Sequence, residues 1–541
     1  MVRLVSSKQS KSRSLSANVR SGVIWSVGSA MLLRLSSIGV TALVARILNA
    51  HDFGVFAVAT TAFTIVTAFG EFGVTSCLAR ADLEVEALAP TLWTVSLGSS
   101  LLMASVLELF AEPIATSLGS RDAAGPVRVM SIIMVLWGVA AVPTAQCVRD
   151  FYQRRIFLAN VLGFIPSTII LLVLAKHGSG AMAFAWSRVA AQAVSCTVIL
   201  LSVPRLHLPG MRRSALSILY RYGLPLACAN FVGYILQNVD YALIGRFMGA
   251  VALGTYVLAF NAASWSSSLL LGMLGTVAMP AFSRVKHDAA QLTTAIADGV
   301  RAVTLIAAPM CTFAMVLSRP LILTLYGTKW AAAIDVLSIM SVYGLISIVC
   351  VLFSNMLAAL GRSTSVLVIQ LIWLAVLVPA MAIGVHERGI EGAAIAHVVV
   401  ITPVVLPCYL IVLMRTTGVQ IGLLVKAALP PLVIAAVAAS LAWLAASRFD
   451  SPIVELIVGT TVGGLCYLIL AGPQLLFFVG RRWMMRPRVR RILRLYDNFG
   501  RTLGIPVGPP PRHAMRSRAH RVTRTYPTRS ELPLRGYRGS T

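Results

Sequence analysis

Ala42-Leu-Val-Ala-Arg-Ile-Leu-Asn-Ala50 returns, with every residue number raised by 200, as Ala242-Leu-Ile-Gly-Arg-Phe-Met-Gly-Ala250. The match runs on without a gap, so that Gly54, Phe56 and Ala59 fall over Gly254, Tyr256 and Ala259. In both copies the segment closes one apolar stretch and opens the next. A shared Arg and shared small residues at such a junction mark an internal duplication, which goes beyond the likeness of any two apolar segments. Working outward, about 14 apolar stretches run from Gly22 to Phe478. At ~1.5 Å of rise per residue, ~20 residues cross a hydrocarbon layer about 30 Å thick. The expected fold is an all-α polytopic membrane protein. It has a basic N-terminal segment 1–21, a first six-helix lobe 22–203, a cytoplasmic inter-lobe loop 204–217, a second six-helix lobe 218–413, two further helices within 421–479, and a basic tail 480–541. Six helices repeated in the same sense give two lobes related by an axis along the membrane normal. That arrangement suits alternating access.

Composition agrees. The 541 residues are 57% hydrophobic and 12% charged, with a mean hydropathy of +0.83, which does not describe a chain that buries one core in water. The net charge of +27 lies in loops and in the tail, so it points away from nucleic acid. When the loops are assigned alternately to two sides, one side, with Arg80, Arg149, Arg154, Arg155, Arg205, Arg212, Arg213, Arg284, Arg362 and Arg415, holds more than twice the Lys and Arg of the other. Positive charge accumulates in cytoplasmic loops, so both termini are expected in the cytoplasm. The first stretch, 22–48, is too long for a signal-peptide core and reads as an uncleaved helix. Eight scattered cysteines, without CxxC or Cys/His spacing, read as packing residues. No GxSxG, Walker, HExxH or loop DxD pattern appears, and no cofactor is expected.

Val44-Ala-Arg-Ile-Leu followed by Asp52-Phe-Gly-Val-Phe-Ala, then Arg221-Tyr-Gly-Leu-Pro, Asp240-Tyr-Ala-Leu-Ile-Gly-Arg-Phe-Met-Gly, Leu253-Gly-Thr-Tyr, Pro280-Ala-Phe-Ser-Arg and Gly327-Thr-Lys-Trp, stand in fixed order over residues 20 to 415. In that order they resemble the polysaccharide transporters, the O-antigen flippase-like branch of the multidrug, oligosaccharidyl-lipid and polysaccharide exporter superfamily. The resemblance implies twelve helices in two lobes, often with two more, in a bacterial plasma membrane. It also implies export of a polyprenyl-diphosphate-linked glycan, with possible H+ or Na+ coupling and contacts to polysaccharide assembly proteins. The Arg-rich tail lies outside the family pattern. Its first part suits anionic lipid headgroups, at about 1 kcal/mol per Arg near the surface, and its remainder reads as disordered.

An ionisable group at the centre of a spanning helix costs ~2.5–3.5 kcal/mol or more and usually faces protein or a watery cavity. Arg34 and Arg188 are the candidate cavity cations for a lipid diphosphate; Arg34 reads equally well as an ion-pair partner of Glu71. Glu71 and Asp240 are candidates for coupling or ion pairing, Asp240 alternatively as a polar lock at the junction of the seventh and eighth helices. Arg46 and Arg246 occupy matching places in the repeats and read as headgroup-level helix ends. Two alternatives stay open. A drug or cation exporter of the same architecture would want an acidic cavity, and a non-transporting membrane scaffold would depend on the tail.

Overall fold

The computed structural model describes residues 36–70, 85–150, 152–203, 210–211, 224–285 and 289–478. Among them there is no strand. The helices are α1 (Ser36–Ile47), α2 (Ala50–Gly70), α3 (Val85–Leu109), the short α4 (Ala111–Ser117), α5 (Ala124–Arg149), α6 (Gln153–Lys176) and α7 (Ala181–Ser202) in the first half. The second half holds α8 (Leu224–Val285), α9 (Ala289–Val316), the short α10 (Ser318–Leu325), α11 (Ala333–Ala359), α12 (Ser363–Val400) and α13 (Leu406–Thr417). Two helices follow, α14 (Ile421–Ala446) and α15 (Pro452–Phe478). The chain divides into the units 1–469 and 470–541, and the packing described below lies within the first.

Two of these elements are bent back on themselves. In α8, Gly249 has φ 77° and ψ −177°, a conformation that strains any side chain bearing a Cβ. The Tyr256 hydroxyl then reaches Asp240, sixteen positions earlier, at 3.2 Å. A straight helix would hold those residues about 24 Å apart, so α8 is a hairpin of two crossing arms. A second reversal falls at Arg388 and Gly389 in α12, and a π-helical turn, Ile401–Val405, carries its second arm into α13. With the arms counted separately and short α4 and α10 left aside, the described residues form 14 helices, six per lobe and two at the end. Among the described residues, eleven continuous segments are long and apolar enough to span a membrane.

The sequence sorts its faces accordingly. On α6, Leu158, Leu162, Ile165, Ile169 and Val173 form an exposed stripe, and on α14 so do Val425, Leu429, Val433, Val437 and Leu441. Steps of three and four residues keep them on one helical face. The opposite face of α14 buries Ala435, Ala438, Ala439, Ala442 and Ala446. Large apolar groups outside and small ones inside are the arrangement lipid demands, because helices there associate through close packing and gain nothing by hiding Leu from Leu-like tails.

The lobes meet most intimately where α2 crosses the second arm of α8. A Cβ on Gly54 would lie 1.6 Å from the Ala250 carbonyl oxygen, and one on Gly254 would lie 1.9 Å from that of Ala50. Each glycine therefore receives the backbone of its repeat partner's helix. Reciprocal contact of this kind is what a two-fold relation generates, and the duplicated segments are the surfaces that touch.

Candidate functional site

Between the lobes, beside this crossing, lies a cavity of about 490 Å³. Its walls come from α1 (Ser37, Thr41), α2 (Phe53, Phe56, Thr60), α6 (Phe164, Ser167, Thr168), α7 (Phe184, Ser187, Arg188) and both arms of α8 (Asn238, Tyr241, Asn261, Trp265). Phe184 packs edge-on to Phe53 with centroids 5.0 Å apart and stacks on Phe56 at 4.7 Å. The lining is thus aromatic surface interleaved with hydroxyls and amides.

Arg188 is the charged member of that lining. Its guanidinium sits 5.2 Å from the Phe56 ring centroid, a cation–π geometry. The side chain is exposed although protein crowds around it, which is the signature of a group facing an internal cavity. No carboxylate pairs with it among the described residues. It also borders a second cavity of about 410 Å³, walled by Phe63, Thr64, Thr67, Trp137, Gln192 and Tyr234. The spacing in α7 explains the placement: Phe184, Arg188, Gln192 and Ser195 recur at steps of four, four and three and share one helical face.

Asp240 is placed elsewhere, inside the second lobe. It is 2% exposed and accepts hydrogen bonds from the Tyr256 hydroxyl at 3.2 Å and from the Tyr241 backbone N–H at 2.9 Å. His397 of α12, 3% exposed, brings Nε2 to 3.7 Å from Asp240 Oδ2, and the Tyr343 ring of α11 lies 4.8 Å from the imidazole. The π-helical turn of α12 begins four residues after His397 and contains Pro403; such turns recur at functional sites. Tyr241, next to Asp240, lines the inter-lobe cavity.

Arg46, exposed at the end of α1, holds carbonyls of the second lobe. It donates through Nε to the Leu325 carbonyl at 3.2 Å and through its terminal nitrogen to that of Thr324, at the C-terminus of α10. In exchange Lys329 Nζ reaches the carbonyls of Arg46 and Leu48 at 3.2 and 2.6 Å, and Trp330 Nε1 donates to Ala45 at 2.9 Å. Each lobe so supplies cations to free carbonyls at a helix end of the other. Burial lowers the Lys329 ammonium pKa from its ordinary value, with Asp52 opposing the shift. Arg246 remains exposed.

Arg34 and Glu71 lie outside the described residues, as does the tail. The structure brings Arg188 to the cavity and Asp240 to a separate buried cluster. His397 was missed because the sequence reading weighed Arg, Asp and Glu inside apolar stretches; a His in Ala396-His-Val-Val-Val400 carries the same signal. Among the described residues no group of three or more His, Cys, Asp or Glu is arranged to hold a metal.

A family model described as "Polysaccharide biosynthesis protein" matches residues 43–335, more than half of the chain. The chain belongs to that family. Relatives within reach of this polysaccharide biosynthesis protein include the succinoglycan biosynthesis transport protein ExoT of Rhizobium meliloti, 27% identical over 79% of this chain and 87% of that one. The lipopolysaccharide biosynthesis protein WzxC of Escherichia coli is 24% identical over 72% and 79%. Among solved structures, the lipid II flippase MurJ in an inward closed conformation superposes with a TM-score of 0.67 at 13% identity, covering 85% of this chain and all of that one. A MATE family multidrug transporter of the MOP superfamily, inward-facing, gives 0.53 at 17% identity over 73% and 95%. At those identities the two structures establish the shared fold.

Proposed function

We propose that this protein carries a polyprenyl-diphosphate-linked oligosaccharide from the cytoplasmic to the outer leaflet of a bacterial plasma membrane, by alternating access and without making or breaking a covalent bond. The observation that carries the reading is the inter-lobe cavity, where the Arg188 guanidinium, unpaired among the described residues, stands among aromatic rings, hydroxyls and amides. A guanidinium meets phosphate oxygens with two parallel charge-assisted hydrogen bonds, rings and hydroxyls suit sugars, and the prenyl chain stays in lipid between helices. The named roles of ExoT and WzxC relatives agree with it. A cation exporter would want a carboxylate in the cavity lining, and none stands there among the described residues.

The basic ends of the helices, at Arg149 and Arg155, face the cytoplasm in this reading, so the Gly54–Gly254 crossing seals the outer side. The driving ion is a proton held by Asp240 and His397. Facing that pair are Tyr241 and Tyr256 from α8 and Tyr343 from α11, with Cys350 near Tyr343. Any change of charge there is felt by Tyr241 in the cavity wall. The basic tail lies along anionic headgroups, near assembly proteins of the same polysaccharide.

The test is transbilayer movement of a labelled polyprenyl-diphosphate disaccharide in proteoliposomes. Arg188→Ala should abolish movement in correctly folded protein and Arg188→Lys should retain part of it. Unchanged movement with Arg188→Ala would overturn the assignment. Movement indifferent to a pH gradient in the wild type would overturn the proton.

A further inference from the structure

The first lobe contains a cavity of its own, about 300 Å³ in volume, between α3, α5, α6 and α7 in the half of the lobe nearer Arg149 and Arg155. It is small for a ligand site, which typically measures roughly 300–1,000 Å³. The chemistry of its walls is unusual for the interior of a membrane protein. Ser100, Thr144, Asn160, Gln192 and Ser195 line it beside the indole of Trp137, and none of its described lining residues is charged. Apolar packing alone would have filled this space with Leu and Ala. Instead exposed Asn160 and half-buried Gln192 present amides to it.

The cavity adjoins the second of the two cavities that Arg188 borders. Thr67, Trp137 and Gln192 line both it and the cavity that contains Arg188. On α7, Gln192 follows Arg188 by one turn and Ser195 by two, so these groups are spread over about 10 Å along the axis. A ligand with an anion at Arg188 would lay its next uncharged part against Gln192, Ser195 and Trp137. The Trp137 ring is held edge-on by Phe63 at 5.5 Å and is 39% exposed, so an apolar face is open for contact.

Resting on the flippase reading, we infer that this cavity is a subsite for an uncharged sugar adjoining the diphosphate. A hexopyranose ring has a C–H face that packs on an indole and an edge of hydroxyls that both donate and accept, as amides and hydroxyls do. A uronic or sialic acid carboxylate would enter a cavity whose described lining offers it no cation, and burying an unpaired charge is costly. The subsite therefore selects neutral sugars at the positions nearest the lipid.

The experiment compares two lipids on the full-length protein, a polyprenyl-diphosphate-linked glucose disaccharide and its counterpart with glucuronic acid as the sugar joined to the diphosphate. Binding is read in detergent by tryptophan fluorescence and movement in proteoliposomes. The wild type should prefer the neutral lipid. Trp137→Ala should weaken its binding roughly 2- to 10-fold, Trp137→Phe should largely retain it, and Gln192→Arg should gain the glucuronate lipid. Equal binding of both lipids by the wild type would overturn the inference, as would Trp137→Ala and Gln192→Arg variants that fold yet keep the wild-type preference. The latter result would make the cavity a hydrated vestibule. If neither lipid moves while the binding preference holds, the flippase reading fails and the subsite stands.

Discussion

Replacing Gly254 by Ala places a methyl group 1.9 Å from the Ala50 carbonyl oxygen and 2.8 Å from the Gly54 nitrogen. Both obstacles are main-chain atoms of α2, so no side-chain rotation relieves them. Restoring an ordinary contact of 3.4 Å requires the helices to part by about 1.5 Å. Overpacking of a tight contact costs typically about 1–3 kcal/mol, and that cost falls only on the state in which the lobes touch here. The equilibrium should shift about 5- to 150-fold toward the state in which they separate. Gly54→Ala should act alike, from 1.6 Å against the Ala250 oxygen. The double variant should add little, because a seam opened once needs no second opening. The assay is labelling of Thr60→Cys, a cavity position, in a cysteine-free background with a membrane-impermeant maleimide applied from outside. Accessibility should rise at least several-fold in each variant. Folded variants labelled no faster than the parent would refute the seam as the outer seal.

Three other outcomes are expected. Trp330→Phe removes the indole bond to Ala45 and leaves that carbonyl in a buried place, costing about 1–3 kcal/mol; a lower thermal midpoint in detergent checks it. Gly249→Val forces a β-branched residue to φ 77°, a strain of about 1–3 kcal/mol, and should reduce the yield of monodisperse protein while Ala252→Val nearby should not. His397→Gln and Asp240→Asn should each free transport from a pH gradient in proteoliposomes, whereas Tyr409→Phe, also on the second lobe, should leave the dependence as in the wild type.

The helices and their pairing were legible because lipid leaves one option for each stretch, and because a repeated Arg–Gly junction survives as a visible pattern. The two hairpin turns were readable from the glycines that interrupt apolar runs at 249 and 389. Arg188 was legible as a charge where none is cheap. Its neighbours Phe184, Gln192 and Ser195 were not singled out, although the same helical period that turns Arg188 inward turns them with it. Partnerships over long sequence distances stayed hidden. Nothing in the order of residues says that Lys329 answers Arg46, or that His397 answers Asp240, since those contacts follow from how whole helices are laid together.

The contact at Gly54 and Gly254 is made by main chain on main chain, and that separates two properties of the molecule. A carrier that takes up a different glycan must change its lining to follow it. Here the lining consists of side chains, whereas the closing surface consists of carbonyls and absent side chains. Exchange of the former leaves the latter untouched, so selectivity can drift, or be redesigned, while the moving parts stay the same.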